Sequence, residues 1–382
     1  MTKHTSLGTE EEFFKALREG SRTKQKIVSD YFVYYNRVTA QRNEKVGYAD
    51  LFAGPGLYFT DQGQSHKSIP VLVSEAAIRE PLFRQKVHLW FNEGDPEHYK
   101  RLRESIGSLP ALETLRYQPT ISNKIINSGW PDILKKLPVP TLVFLDPCGY
   151  KGLSLRLVAS VLEGFGNDCI FFFNYSRINM KLDLEIMNRS IDEFFEQERA
   201  KALRAAIQGR NPDEREEIIL AAVESAITQA RGIPLFFKFR SKVNRTSHHL
   251  VFASKNRGAA NKMKRILNSA SSTVVDGVGS GEHDPRARQV PGSLFDGLYE
   301  VEDRLLSAFG GRRIQFRDLL QEEQRTRFTE SSYRDALLNL EAEGRVAIDP
   351  PAQNRRYQSG REKRTLPKES YIQFEDAKKH VN

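Results

Sequence analysis

Cysteine is nearly absent from this 382-residue chain: there are two, Cys148 and Cys169, and both fall inside apolar runs that read as buried strands. Two cysteines build neither a disulfide scaffold nor a four-ligand zinc site, so no metal is expected and a reducing, cytoplasmic setting is. Long apolar runs are lacking too. No stretch approaches the roughly 18 uncharged residues that a membrane-spanning helix needs. Residues 1–20 carry Glu10, Glu11 and Glu12 and no apolar stretch ahead of a small-residue cleavage site, which is not the pattern of a secretory signal. No internal repeat is apparent. Acid is missing from one whole segment, 233–267, which holds nine lysines and arginines and no aspartate or glutamate. That stretch alone equals the chain's net charge of +9, and a polyanion is its natural partner.

What is present suits a large domain plus a smaller one, since 382 residues at 39% hydrophobic content can bury a sizeable core. Residues 24–38 space Ile27, Val28, Tyr31, Phe32 and Tyr35 as one face of a helix, in an N-terminal segment (1–45) that packs on the domain after it. Short apolar runs at 45–52, 86–92, 114–118, 141–145 and 168–174 alternate with helical patterns at 98–106, 123–137 and 154–162, the rhythm of a parallel sheet covered on both faces. A polar, helix-rich insertion at 179–231 precedes two more strands, 234–240 and 247–254, close enough for an antiparallel hairpin. The fold expected for 46–268 is therefore a Rossmann sheet of the α/β class, closed by that hairpin. Residues 269–291, rich in Gly, Ser and Asp, read as a linker.

The chemistry concentrates at the strand ends. Asp50-Leu51-Phe52-Ala53-Gly54-Pro55-Gly56 is a strand running through an acid into Gly-x-Gly, a turn that lets a ligand approach bare backbone. A dinucleotide fingerprint needs a third glycine three positions on, and Phe59 stands there, so NAD is disfavoured. Asp50, Phe52, Gly54 and Gly56 are the cofactor-turn candidates. Glu93, at the end of the next strand, has the chemistry to accept hydrogen bonds from ribose hydroxyls; its simpler role is to cap the helix beginning near Pro96. Its distance from the glycines implies an insertion around 60–80. At the fourth strand end, Asp146-Pro147-Cys148-Gly149-Tyr150 is set against the Asp/Asn-Pro-Pro-aromatic segment of enzymes that methylate exocyclic amines. Asp146 would orient the acceptor, with Pro147 shaping the turn and Tyr150 the stacking ring, yet Cys148 replaces the second proline and Tyr150 arrives one position late. The simpler reading of Asp146 is a carboxylate fixing its own turn.

These residues, together with Lys26-Ile27-Val28, Tyr31-Phe32, Tyr48-Ala49, Lys151-Gly152 and Arg245-Thr246-Ser247-His248-His249-Leu250-Val251-Phe252, resemble the bacterial three-Cys-motif partner (TcmP) family across roughly 24–267. The resemblance implies a class I methyltransferase-like Rossmann domain with S-adenosylmethionine (SAM) as cofactor. It also implies bacterial or phage contexts and a partner protein bearing a three-cysteine motif. It does not by itself supply a substrate.

In the hairpin, alternation puts Lys238, Arg240 and Lys242 on one face and Phe237 and Phe239 on the other, with Arg245 in reach of the same phosphate path; lysines guarding an edge strand are the plainer alternative. Of His248 and His249 only one can face the core. Beyond the linker, helical patterns at 294–309, 314–321 and 331–343 followed by strands at 345–348 and 370–374 give a winged-helix order for 292–382, a DNA-binding or protein-docking module. Arg334, Asn339 and Tyr333 are the groove-facing candidates, and Arg355, Arg356, Arg361, Lys363 and Arg364 make the wing basic. The leading expectation is a SAM-binding, methyltransferase-like enzyme acting on nucleic acid. A non-catalytic nucleic-acid-binding adaptor for a radical-SAM-like partner is the alternative, and a metal-dependent nuclease built on Asp50, Glu93 and Asp146 a more distant one.

Overall fold

A computed structural model describes residues 10–59, 65–147, 152–182, 188–287, 297–357 and 365–375. The chain forms two compact units, Met1–Met263 with His283–Pro285, and Lys264–Glu282 with Arg286–Asn382.

The large unit opens with α1 (Glu10–Thr39), whose Ile27, Val28, Tyr31 and Phe32 are each 0% exposed. Burying four such side chains stabilises the unit by about 1.5–3 kcal/mol apiece, enough to hold a helix that precedes the sheet it covers. The ring of Phe32 meets Tyr48 and Phe83 edge-on, and Tyr31 meets Phe252.

The sheet begins with β1 (Val46–Asp50), after which the chain forms a hairpin, β2 (Leu57–Phe59) with β3 (Ser65–Lys67), then α2 (Ile69–Arg79) and α3 (Pro81–Lys86) before β4 (Val87–Asn92). That hairpin and the two helices account for the long spacing between the glycine turn and Glu93. Next come α4 (Pro96–Gly107), β5 (Thr120–Ser122), α5 (Trp130–Leu134), β6 (Thr141–Leu145), α6 (Leu155–Glu163) and β7 (Asp168–Phe173).

Two sequence expectations shift here. The strand expected at 114–118 lies instead at Thr120–Ser122, because Gln118 Nε2 donates to the carbonyls of Leu112 and Leu115 and closes that stretch into a turn. The helix expected over 123–137 shrinks to five residues, α5. Asn92 is the reason: its side chain both accepts from Lys124 N–H and donates to Lys124 O, pinning the segment extended before Gly129 and Pro131 allow a helix to start.

The insertion is four helices, α7 (Tyr175–Leu182), α8 (Asn188–Phe195), α9 (Gln197–Ala206) and α10 (Pro212–Gln229); Asn211 and Glu214 close a reciprocal capping box at the start of α10. The antiparallel pair β8 (Ile233–Arg240) and β9 (Thr246–Ser254) comes after it. Because β9 runs antiparallel to both β7 and β8, β8 is parallel to the rest and the turn at 241–245 lies at the same carboxyl edge as the ends of β6 and β7. After α11 (Arg257–Ala270) come the short strands β10 (Val274–Val275), β11 (Val278–Gly279) and β12 (Glu282–His283), so the stretch read as a linker carries structure through its described part. The sheet order is β12-β8-β9-β7-β6-β1-β4-β5, a mixed α/β sheet, mostly parallel, consistent with a class I methyltransferase fold.

In the small unit, α12 (Gly297–Phe309), β13 (Arg313–Gln315), α13 (Phe316–Glu322), α14 (Glu330–Ala342), β14 (Val346–Asp349) and β15 (Tyr371–Phe374) surround a core that includes Leu305, Phe316, Leu337 and Ile372. The three strands make an antiparallel sheet in the order β13-β15-β14. Ile314, expected to open a helix, belongs to β13 and pairs with Ile372. Thr329 caps α14 through the N–H of Ser332.

Candidate cofactor and acceptor site

The order of the strands reverses at β1, between β4 on one side and β6 on the other, and ligands of open α/β sheets bind in the crevice outside such a switch point. Everything assigned to the cofactor turn lies at this place. Asp50 is 1% exposed and its Oδ1 accepts the Phe52 N–H at 3.1 Å, so it sits beneath the turn and holds its shape. Burial pushes its carboxyl well above the usual range, and the charges of Asp146 and Glu93 add to the rise against the opposing Phe52 N–H and Lys24. Phe52 is half-buried and lies against Gly152, whose added Cβ would come within 3.3 Å of its ring.

Gly54 and Gly56 both have positive φ, +68° and +82°, where a side chain is strained. They do different work. A Cβ on Gly56 would come within 2.6 Å of Ser105 Cβ, so this glycine lets α4 pack against the turn. A Cβ on Gly54 would meet only the Tyr58 hydroxyl, at 2.6 Å, and Tyr58 is 50% exposed. At Gly54 it is a half-exposed side chain, and not a helix, that stands in the way.

Glu93 joins this turn directly. Its Oε2 accepts the Gly54 N–H at 2.7 Å and its Oε1 the Asp95 N–H at 2.8 Å. Capping of α4 falls to Asp95, whose Oδ1 accepts from Glu97 and His98, so the simpler role considered for Glu93 is filled by a neighbour. Each carboxylate oxygen can take a second hydrogen bond, which leaves Glu93 one open acceptor position per oxygen, oriented by two backbone donors. Behind it Asn92 is 3% exposed, donates to Leu51 O and accepts from Ser122, tying β1, β4 and β5 together at their carboxyl ends.

Asp146 comes after β6 at the same edge, and Pro147 is buried beside it; Cys148, Gly149, Tyr150 and Lys151 lie outside the described residues. The carboxylate does not stand alone. Lys24 of α1 donates to Asp146 Oδ2 at 2.5 Å and places its ammonium 4.6 Å from the centre of the Phe172 ring. The imidazole of His248 stacks on that ring at 4.8 Å. Burial, reinforced by Lys24 and Arg177, lowers His248 to about 4 against the opposing pull of Asp146. Beneath the turn, the fully buried Tyr48 hydroxyl has no hydrogen-bond partner among the described residues; burial raises its pKa, and the charges of Asp50 and Asp146 add to the rise. Lys24 and Phe172 were not among the sequence candidates, and His248 entered only as one of two adjacent histidines of which one faces the core. They come from α1, β7 and β9, and no spacing along the chain brings them together.

The basic candidates divide. Alternation along β8 holds, with Phe237 and Phe239 buried toward α1, but the other face is covered by α10. There Lys238 pairs with Glu216 at 2.9 Å, which makes it an ion-pair partner inside the unit. Glu216 also takes hydrogen bonds from Thr246 and from His249, the histidine that faces the core. Burial would raise Glu216, yet those three donors outweigh it and hold the carboxyl at about 2. Arg240 reaches Asn244 across the turn at 3.2 Å, Lys242 is half-buried and Arg245 is exposed. In the small unit, Arg334 is held by Glu330 and the Phe316 ring, Asn339 by Glu302, and Tyr333 is buried against Glu323. Arg355 is buried and ion-paired with Glu341, because β14 and the chain after it fold back over α14. Only Arg356 among the described wing arginines is exposed, and Arg361, Lys363 and Arg364 lie outside the described residues.

Among the described residues no three His, Cys, Asp or Glu side chains are gathered to hold a metal ion, and no helix is long and apolar enough to cross a membrane.

No protein-family model matches the chain, and no curated protein does. Solved structures do resemble it. Protein LPL1258 of Legionella pneumophila is 13% identical, with 69% of this chain and 98% of that one covered and a TM-score of 0.37. The methyltransferase domain of bacterial CtHen1 is 10% identical over 61% and 100%, with a TM-score of 0.32. The glycopeptide N-methyltransferase MtfA, complexed with sinefungin, is 11% identical over 59% and 86%, with a TM-score of 0.30. The similar structures thus include SAM-dependent methyltransferases, one of them holding a SAM analogue.

Proposed function

We propose that this chain is a SAM-binding, methyltransferase-like protein of the three-Cys-motif partner type that acts on nucleic acid. The observation that carries the cofactor half is Glu93, aimed by the N–H groups of Gly54 and Asp95 and retaining acceptor capacity at the glycine turn. A ribose diol fits that acceptor pair. SAM, when bound, supplies an electrophilic methyl group on sulfur. The protein's share is alignment and exclusion of water.

The nucleic-acid half rests on charge at the acceptor edge. Arg240 at the end of β8, with Lys242 and Arg245 in the turn after it, stands at the carboxyl edge that also bears Lys24 and Arg177. The small unit has the element order of a winged helix, yet α14 carries Glu330, Asp335 and Glu341 against one arginine. Its one arginine is already paired with Glu330, so we assign strand contacts to the large unit. The acidic helix favours a second reading for the small unit alone, as a dock for a protein partner such as the three-cysteine-motif protein.

Calorimetric titration of the purified, cofactor-free protein with SAM and with sinefungin tests the proposal. Binding that weakens at least about tenfold in Glu93→Ala, the loss of roughly one charge-assisted hydrogen bond, is expected. Absence of binding by either ligand sinks the methyltransferase reading and leaves the adaptor.

A further inference from the structure

An amine-methylating site needs a carboxylate or carbonyl open to accept the amine's hydrogens. At this acceptor edge Asp146 Oδ2 already takes the Lys24 ammonium at 2.5 Å, and both side chains are mostly withdrawn from solvent, 22% and 18% exposed. An exocyclic amine arriving there competes with the ammonium for the carboxylate. A hydroxyl oxygen meets what it requires: an ammonium with donor capacity beyond its bond to Asp146, and an imidazole stacked on the same Phe172 ring over which the ammonium lies. Neither ring nitrogen of His248 is hydrogen-bonded among the described residues, whereas its neighbour His249 is spent on Glu216. The cations at the turn after β8 favour a polyanion, and the polyanion that carries hydroxyl groups along its backbone is RNA.

We propose that the methyl acceptor is a ribose 2′-hydroxyl of an RNA strand, positioned by Lys24 and relieved of its proton by His248, with Asp146 serving to hold Lys24. This rests on the methyltransferase reading above. In the step, the hydroxyl oxygen donates a pair to the methyl carbon, the carbon–sulfur pair stays with sulfur, and the sulfonium becomes a neutral thioether. The hydroxyl proton passes to a ring nitrogen of His248 and then to water. Once the oxygen–carbon bond forms the oxonium proton is strongly acidic, so a weakly basic imidazole suffices. An imidazole lowered to about 4 also stays unprotonated, and ready, at neutral pH.

The test uses the full chain with isotopically labelled SAM and three strands of one mixed 24-nucleotide sequence: RNA, DNA, and RNA already 2′-O-methylated throughout. Digestion to nucleosides and mass spectrometry should find label as 2′-O-methylnucleosides from RNA alone. Lys24→Met should lower transfer at least about a hundredfold, the upper range for one charge-assisted hydrogen bond, while its sinefungin affinity stays unchanged. Binding provides a readout independent of turnover. With sinefungin present, RNA should bind tighter than DNA by fluorescence anisotropy, and Lys24→Met should erase the difference. Label in methylated bases or in DNA, an undiminished Lys24→Met, or no label in any strand while sinefungin binds would each overturn the hydroxyl proposal and leave the cofactor reading standing. Failure to bind sinefungin overturns the cofactor reading itself.

Discussion

At the scale of single residues, the two glycines of the turn separate stability from binding. Forcing alanine into a positive φ costs about 1–2 kcal/mol at either position. At Gly56 the new methyl also strikes Ser105, which is buried on α4 and cannot retreat. At Gly54 it strikes the Tyr58 hydroxyl, the far end of a half-exposed side chain. Gly56→Ala is therefore expected to lower the melting temperature by several degrees. Gly54→Ala should lose less stability than Gly56→Ala and should lose sinefungin affinity, because the methyl intrudes beside the Gly54 N–H that aims Glu93. Differential scanning fluorimetry and calorimetry on the two variants check this, and equal behaviour of both would refute the division. The sequence shows both glycines, but only the contact with Ser105 tells which one serves packing.

Between elements, α1 is fastened to β7 by a buried pair: the Tyr31 hydroxyl donates to Asp168 Oδ2 at 2.6 Å. Burial raises Asp168 to about 6, despite hydrogen bonds from Ser254 and Tyr31 and the nearby charge of Lys255. A carboxyl raised in the folded state favours the fold while protonated. Its stabilising contribution is present below the unfolded value, near 4, and is lost as pH rises through about 6. Asp168→Asn keeps an acceptor for Tyr31 and has no proton to lose. It should thus match the wild type near pH 4 and exceed it at pH 7 by about 3 kcal/mol, the equivalent of roughly two pKa units; urea unfolding at the two pH values measures the gap. The apolar face of α1 is plain from its spacing. Its fastening to Asp168, and its delivery of Lys24 to the far edge of the sheet, depend on which strand lies beneath the helix. The same holds for Lys238: period-2 alternation gives its face correctly, but whether that face is solvent or helix α10 is a matter of what the insertion covers.

For the whole molecule, the charge excess has a salt-dependent consequence. If the turn after β8 contacts phosphates, binding of an RNA strand should fall steeply with added salt, and the slope of log affinity against log salt should flatten by about 0.7 per contact removed. Replacing Arg240, Lys242 and Arg245 together by glutamine should flatten it, whereas replacing Arg334 or Arg355 should not, since those two are engaged inside the small unit. An unaltered slope in the triple variant would place the strand elsewhere.

Local periodicity and turn chemistry determined much of this protein by themselves: β1, β4, β6 and β7, the helical insertion, the closing hairpin, and the three helices and strand pair of the small unit. Each is set by spacing of apolar residues that must be buried whatever their neighbours are. The glycine turn and Glu93 were legible for the same reason, as residues whose backbone or charge is demanding on its own. Tertiary structure decided which charges are spent. Lys238, Arg334 and Arg355 look available in the sequence and are paired in the fold, while Lys24, Phe172 and His248 look ordinary there and converge on Asp146. A charge acquires its role from the opposite charge or ring that three dimensions put beside it, and those partners lie up to 148 residues from Phe172 along the chain.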